Sequence, residues 1–533
     1  MLRKRPVLLT LVLVATSFLI VTFRELFIYS ASPDKDKDKE SNFTYPHDPD
    51  QGKPTTLLVA ESRAAKPQPA LTLVQTGGFA NDASHLNKTP VHGIVRIQTE
   101  YDVRNALAYA RANNLKVTCA GQQHSMGGQT FTRGGLVLDF RDFNHFTVDQ
   151  EHKTVKAQSG VRWWQLQQVL DKQGLSVKAM QSINIFSVGG TLSVNAHGID
   201  PEPGPIAPTV LGLRVMLSSG EIVKASPTEN SELFRHVLGG YGLFGIILDA
   251  DLEVADNAMY VRKALYMNYK DFPSYYKKAV EGNGNIGLAF GRLSIAPRGY
   301  LRESVAHIYE KTQYDEKLPG LKPARHDAVA RFVINFSKTG GFGRWFRWTL
   351  EKYVEPQLHD CVTRNQAMSA AGECLVSRNE EMYDNMSYLK NRLPDTDILQ
   401  EYFIPYDNMP QFVDRLREVV QRDNANLLNV TIRTVHKDTI TALPYARQDM
   451  FGFVLYFNCR FNDRDAARLK QTTVDLIDAA HEAGGTFYLP YQLFYSKDQL
   501  RNAYPQIDDF FAAKRKYDPA GLFSNKFYEK YGM

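Results

Sequence analysis

Leu115-Lys116-Val117-Thr118-Cys119-Ala120 runs straight into Gly121-Gln122-Gln123-His124-Ser125-Met126-Gly127-Gly128-Gln129. Further on stands Ser187-Val188-Gly189-Gly190-Thr191-Leu192-Ser193-Val194-Asn195-Ala196-His197-Gly198. The reading is a strand, a glycine-bearing turn that carries a histidine, then a second glycine turn. Glycine has no Cβ, so backbone N–H groups in such turns can crowd around an anion. Two loops of this kind can hold a pyrophosphate and the flat ring system attached to it.

Around this pair the pattern is mixed helix and strand. Val103, Leu107 and Ala110 recur at helical spacing between Tyr101 and Asn113. Strands are expected at 115–120, 136–140 and Val155 to Gln158, and a helix over Trp163 to Lys172, stopped by Gly174. After about Asn257 these motifs cease. Strand-like pieces such as Ile286-Gly287-Leu288-Ala289-Phe290 then alternate with helices such as Met409 to Val420, which reads as a separate lobe. The end, Tyr504 to Asp518, is expected to be one helix stopped by Asp518-Pro519.

Three further pieces are Gly135-Leu136-Val137-Leu138-Asp139-Phe140, Val155-Lys156-Ala157-Gln158-Ser159-Gly160-Val161 and Gly239-Gly240-Tyr241-Gly242-Leu243-Phe244-Gly245-Ile246-Ile247. With the two glycine turns they make five motifs in one order. In that order the chain resembles the FAD-binding domain of the vanillyl-alcohol-oxidase/p-cresol-methylhydroxylase (PCMH) flavoproteins. Its nearest likeness there is to the aldonolactone and alditol oxidases. No G-x-G-x-x-G opens a helix with an acid about 20 residues on, so a Rossmann fold is not expected.

The resemblance implies an α+β protein. A two-part PCMH-type FAD-binding domain would span residues 86–258 and an α/β substrate (cap) domain 259–480. A C-terminal segment, 481–533, would complete the flavin site. It also implies roles. His124 would be attached covalently to the flavin. Gly121, Gln122, Gln123, Ser125 and Gln129 would bind the cofactor from one side, and Ser187, Gly189, Gly190, Thr191 and Ser193 from the other. His197-Gly198 would lie beside the ring, and Gly245 and Ile247 would meet the adenine end. Without that likeness, a core histidine satisfied by backbone is the ordinary reading of His124.

Glu401-Tyr402-Phe403-Ile404-Pro405 and Thr431-Ile432-Arg433 resemble cap-domain strands that face the flavin. Relatives often carry Glu-x-Arg in the second strand. Here Thr431 stands in place of the acid, and Arg433 is retained to hold a polyol, a carboxylate or the reduced flavin's charge. Tyr488 to Asp498 resembles the segment where relatives place an aromatic or histidine and then a lysine, which implies Lys497 as the catalytic lysine with Tyr491 as its partner; a cation near the reduced flavin stabilises its charge. A surface lysine at a helix start is the competing reading.

Formal net charge is +5, but Arg3, Lys4, Arg5 and Arg24 supply four units before the first acid, Glu25. The remainder is nearly neutral, which gives nucleic-acid binding little support. Pro6 to Phe23 is uncharged and long enough to span a bilayer with flanking help. Cations precede it, so the reading is a single-pass anchor (1–30) with the catalytic part on the non-cytoplasmic side. Residues 31–85 then form a charged, Pro- and Gly-containing tether. A cleaved signal peptide ending near Ser30-Ala31-Ser32 is the alternative. Cys361 and Cys374 could form a disulfide or remain thiols; Cys119 and Cys459 read as strand residues. No cysteine–histidine pattern suggests a metal. Gly343-Arg344-Trp345-Phe346-Arg347-Trp348 interleaves aromatics and cations, as an interfacial helix or one packed on its own lobe.

The expected function is a membrane-anchored FAD oxidoreductase acting on a hydroxyl of a small sugar-derived alcohol or aldonolactone. Electrons would pass to dioxygen, or to a membrane quinone or cytochrome. The alternatives are a flavin reductase or dehydrogenase on a lipid-linked substrate and a flavin-carrying electron-transfer subunit.

Overall fold

The computed structural model describes residues 71–313, 320–321, 327–354, 375–382 and 395–533. The expected anchor, the tether as far as residue 70, and Cys361 with Cys374 lie outside these residues. Among the described residues no helix is long and apolar enough to cross a membrane.

The first half is built on two sheets. A four-stranded sheet runs in the order Gln75–Thr76, Gly93–Arg96, Leu136–Asp139, Val117–Ala120, and its last three strands are parallel. Its first strand, Gln75–Thr76, pairs with Gly93–Arg96, so these residues of the expected 31–85 tether are part of the sheet. Helix Glu100–Ala112 provides the crossover. Thr99 and Asp102 form a reciprocal capping box, and Val103, Ala106, Leu107 and Ala110 face the core. The second sheet is antiparallel: Ile222–Ala225, Val210–Met216, Ile246–Asp256, Thr154–Gln158, Phe146–Asp149. Helix Trp163–Lys172 matches its expected span, and Gly174 follows at φ 71°.

The second half is an eight-stranded antiparallel sheet ordered Leu375–Ser377, Met259–Asn268, Glu303–Thr312, Ile286–Leu293, Asn426–Val435, Met450–Arg460, Asp395–Pro405, Thr486–Phe487. Side chains alternate across a strand, and here the alternation divides two tasks. Tyr402 packs its ring on Phe412 of helix Met409–Arg422, and Gln400 donates to Thr473 of helix Asp463–Glu482. Glu401 and Phe403 therefore point the other way, toward the first half, where Phe403 meets His197 edge-on at 5.4 Å.

The helix expected over Tyr504 to Asp518 runs Ile507–Tyr517, and a separate helix, Lys497–Ala503, precedes it; Pro505 biases Tyr504 away from helical backbone and lacks an N–H, so the two do not join. The chain then returns to the first sheet, where the Val117 N–H donates to Leu522 O at 2.8 Å. Cys119 and Cys459 both lie in strands, and burial pushes their thiols up to about 12 and about 11. Helix Gly341–Thr349 buries Arg347 and Trp348 but exposes Phe342 and Trp345.

Candidate active site

The His124 loop has two halves. Gly121 to Ser125 are half-buried, whereas Met126 to Gln129 are buried. Strong bonds to the C-terminal segment explain the second half. The Met126 N–H donates to Pro490 O at 2.7 Å, and Gln129 Nε2 donates to Leu489 O at 2.6 Å. Gln492 Nε2 donates back to Met126 O. Gln129 also accepts from the Gly127 N–H at 2.9 Å. Both ends of that amide are thus occupied by protein, and Gln129 braces the loop where cofactor contact was expected. Below it, Asp82 accepts from the Gly128 N–H at 2.9 Å. Asp82 is fully buried, and desolvation raises its carboxyl to about 6 despite those hydrogen bonds.

The second glycine turn is a short helix, Val188–Ser193, with Ser187 at its N-cap. The two loops touch. A Cβ on Gly121 would lie 2.2 Å from Ser187 Oγ, and one on Gly189 would lie 2.5 Å from Ser159 Cβ. Gly190 is exposed between them. Thr191, by contrast, accepts from the Trp163 indole and donates to Gln181, both at 2.8 Å, and Ser193 donates to Gly189 O at 2.7 Å. Those hydroxyls, expected to face the cofactor, bond within the protein and shape the turn. Gln123 Nε2 and Ser159 Oγ are buried without a partner. A buried polar atom left unpaired costs about 1–3 kcal/mol, so the donors around this seam suit a polar, phosphate-bearing ligand. His124 stacks on Phe186 at 4.3 Å and 27°. At the far end, Gly245 has φ 156° and leads into strand Ile246–Asp256, where Ile247 pairs with Val215.

His197 joins the halves. Its Nε2 sits 2.5 Å from Glu401 Oε1, without the alignment of a regular hydrogen bond, and both side chains are at most 3% exposed. The rings of Phe403, Tyr445 and Tyr488 surround it. Burial drives the phenols of Tyr445 and Tyr488 well above their ordinary range, so both remain protonated. Across the sheet, Gly452 faces His197, where a Cβ would come 3.2 Å from the ring. Arg433, opposite Gly452, donates to Ser182 Oγ at 2.7 Å and toward His197 O at 3.4 Å, and its Nε is buried without a partner. Tyr491 is half-buried and donates to Glu401 Oε2 at 3.3 Å.

The structure therefore gathers His197, Arg433 and Tyr491 at one seam, along with Glu401, which the sequence reading did not single out. Strand alternation in Glu401-Tyr402-Phe403 was the available signal. Lys497 is not brought there. It is exposed at the first position of helix Lys497–Ala503, behind a Ser496/Gln499 capping box. The lysine expected beside the flavin is a surface residue, as helix-start geometry dictates.

Comparison with known proteins agrees with this two-part layout. The family described as FAD binding domain matches residues 91–226, and the family described as D-arabinono-1,4-lactone oxidase matches residues 376–531. Cytokinin dehydrogenase 2 of Arabidopsis thaliana is 30% identical over 39% of this chain and 42% of its own length. A putative D-arabinono-1,4-lactone oxidase of Neurospora crassa is 32% identical over 28% of this chain and 27% of its own length. In both cases the chain spans less than half of the relative it matches. L-gulonolactone oxidase of Mus musculus is 27% identical over 80% of this chain and 92% of its own. The two family matches fall on the two parts of the chain that meet at this seam, and the first of them is similar to FAD binding domains. The stretch that carries Glu401, Arg433 and Tyr491 is the one similar to the D-arabinono-1,4-lactone oxidase family.

Proposed function

We propose that this chain is a membrane-anchored, FAD-dependent enzyme that oxidises a hydroxyl of a sugar-derived alcohol or aldonolactone. The observation that carries this reading is the convergence of three parts of the chain. His197 of the FAD-binding half, Glu401 and Arg433 of the cap sheet, and Tyr491 of the C-terminal segment meet at one buried seam. Two relatives with lactone oxidase in their names support the substrate class.

Bound FAD supplies a hydride acceptor for the carbon that bears the hydroxyl. The protein's part is binding, orientation and electrostatics. The half-buried stretch Gly121 to Ser125 and the exposed Gly190 hold the cofactor, with His124 as its covalent attachment point. Arg433 has a donor left at Nε and holds a substrate oxygen with its cation. Thr431 accepts from Asn429 at 2.9 Å, so the floor beside Arg433 is neutral where relatives often carry an acid. The aromatic wall of Phe403, Tyr445 and Tyr488 excludes water. Dioxygen is the electron acceptor that the oxidase relatives suggest, with a membrane quinone or cytochrome as the alternative an anchor would favour.

The test is a visible spectrum before and after acid precipitation, followed by anaerobic addition of aldonolactones and alditols. Yellow pellets and bleaching by one of these compounds are expected. A colourless protein, or a flavin that none of them reduces, would overturn the reading.

A further inference from the structure

The acid absent at Thr431 has a counterpart in the same cross-strand row. Glu401 pairs with Val454, and Val454 pairs with Thr431. Glu401 and Thr431 thus share a face of the sheet but stand two strands apart, about 10 Å at ordinary strand spacing. That separation, and the use made of Glu401, argue against a relocated substrate-binding acid. One carboxylate oxygen faces His197 Nε2 at 2.5 Å, and the other accepts from Tyr491 at 3.3 Å. Glu401 itself is 3% exposed.

We infer that Glu401 is a positioning residue that orients His197 and Tyr491 together toward the flavin–substrate cleft. A carboxylate only accepts, so Nε2 of His197 carries a proton toward it. The other ring nitrogen, Nδ1, is buried without a protein partner and is left for a ligand. The surroundings hold the ring in that pose. Gly452 has no side chain to displace it, and Phe403 and Tyr488 pack on its edges. The same carboxylate accepts the hydrogen bond of the Tyr491 hydroxyl. One buried acid thereby orients two side chains, one from the FAD-binding half and one from the C-terminal segment. A base-and-orienter pair of this form recurs wherever a histidine must present one defined nitrogen.

This inference rests on the proposed oxidoreductase reading, so its test has one arm that needs no substrate. Full-length protein is compared with Glu401→Gln, Glu401→Asp and Tyr491→Phe, and with Glu401→Gln combined with Thr431→Glu. In 15N-histidine spectra, the His197 signals assigned with His197→Asn should report a proton on Nε2. Glu401→Gln should move them, while Tyr491→Phe should leave them nearly in place. With L-gulono-1,4-lactone as probe, Glu401→Gln should keep its flavin and slow flavin reduction at saturating lactone by on the order of 10–100-fold, the range seen when an orienting partner is lost. Half-saturation should change much less. Glu401→Asp should recover part of the rate, and Thr431→Glu should recover none.

Unmoved His197 signals would overturn the inference whatever the lactone does. So would recovery by Thr431→Glu, or a loss confined to lactone affinity, since either means that the acid grips substrate directly. Should Glu401→Gln fail to fold, Glu401→Asp carries both arms, and native His197 signals with a native rate in that variant would count against the idea. If no lactone reduces the unmutated flavin, the oxidoreductase substrate class fails, while the spectra still decide whether Glu401 sets the histidine.

Discussion

Gly198 lies directly against Met180: a Cβ at Gly198 would be 2.0 Å from the Met180 carbonyl oxygen. The chain can pass there only without a side chain, and that passage places His197 in the seam. Backbone on both sides leaves no flexible atom to move. Gly198→Ala should therefore destabilise the protein by about 1–3 kcal/mol, the range for overpacking, and should reduce flavin content. Gly284 is the control, because a Cβ there would meet nothing within 4 Å and its backbone is not left-handed. Melting temperature and bound flavin should be near native in Gly284→Ala. Equal damage from both substitutions would refute the steric argument.

Covalent attachment through His124 gives a second prediction. Denaturing precipitation should leave yellow colour in the pellet of the unmutated protein. His124→Ala should release FAD into the supernatant while its melting temperature falls only modestly, because His124 is half-buried and packs chiefly on Phe186. Free FAD recovered from the unmutated protein would exclude the link.

Much of this architecture is legible in the sequence. The glycines of Gly121-Gln122-Gln123-His124 and Ser187-Val188-Gly189-Gly190 mark close approach, and short apolar runs such as Leu136-Val137-Leu138 mark the strands beside them. What is not legible depends on long-range partners. Nothing local in Gln129 announces that its amide reaches Leu489, and nothing near Glu401 announces His197. Thr191 looked like a cofactor donor because its partners, Trp163 and Gln181, are brought to it only by folding. Lys497 is different. Ser496-Lys497-Asp498-Gln499 is a capping-box sequence, and that local signal already placed the lysine at an exposed helix start.

Asp82 predicts a pH dependence. Burial disfavours the charged form and raises its carboxyl from the ordinary 3.8 to about 6 in the fold. The folded state therefore holds the proton more tightly than the unfolded chain. The resulting stabilisation is fully present below about pH 4 and is lost as pH rises through 6. At roughly 1.4 kcal/mol per unit, it is of the order of 3 kcal/mol. Subtracting the melting curve of Asp82→Asn from that of the native protein, between pH 4 and 7.5, should isolate this slope. A difference that is flat with pH would show that Asp82 titrates normally.

The N-terminal cations and the uncharged run from Pro6 to Phe23 predict the side of the membrane. A reporter enzyme active only outside the cytoplasm, fused after residue 60, should be active. Activity from a cytoplasmic reporter at the same point would reverse the topology.

Lys497 and Arg433 make the sharpest contrast in the site. Both were candidates to stabilise charge at the flavin, and the structure separates them. Lys497 is exposed at a helix start, where water already screens its charge. Arg433 lies on the sheet face beside His197, with one buried nitrogen unpartnered. A charge acts on a developing transition state only from a fixed, desolvated position near it. Lys497→Met should therefore keep its flavin and show reduction by lactone within about twofold of native, with a small loss of stability at most. Arg433→Met should also fold, since its stem is retained, yet its reduction rate should fall by on the order of 100-fold or more. Rapid-mixing measurements of flavin bleaching decide the matter. A native rate in Arg433→Met beside a slow Lys497→Met would mean that the helix Lys497–Ala503 moves onto the flavin during turnover, and that the site lies toward that helix.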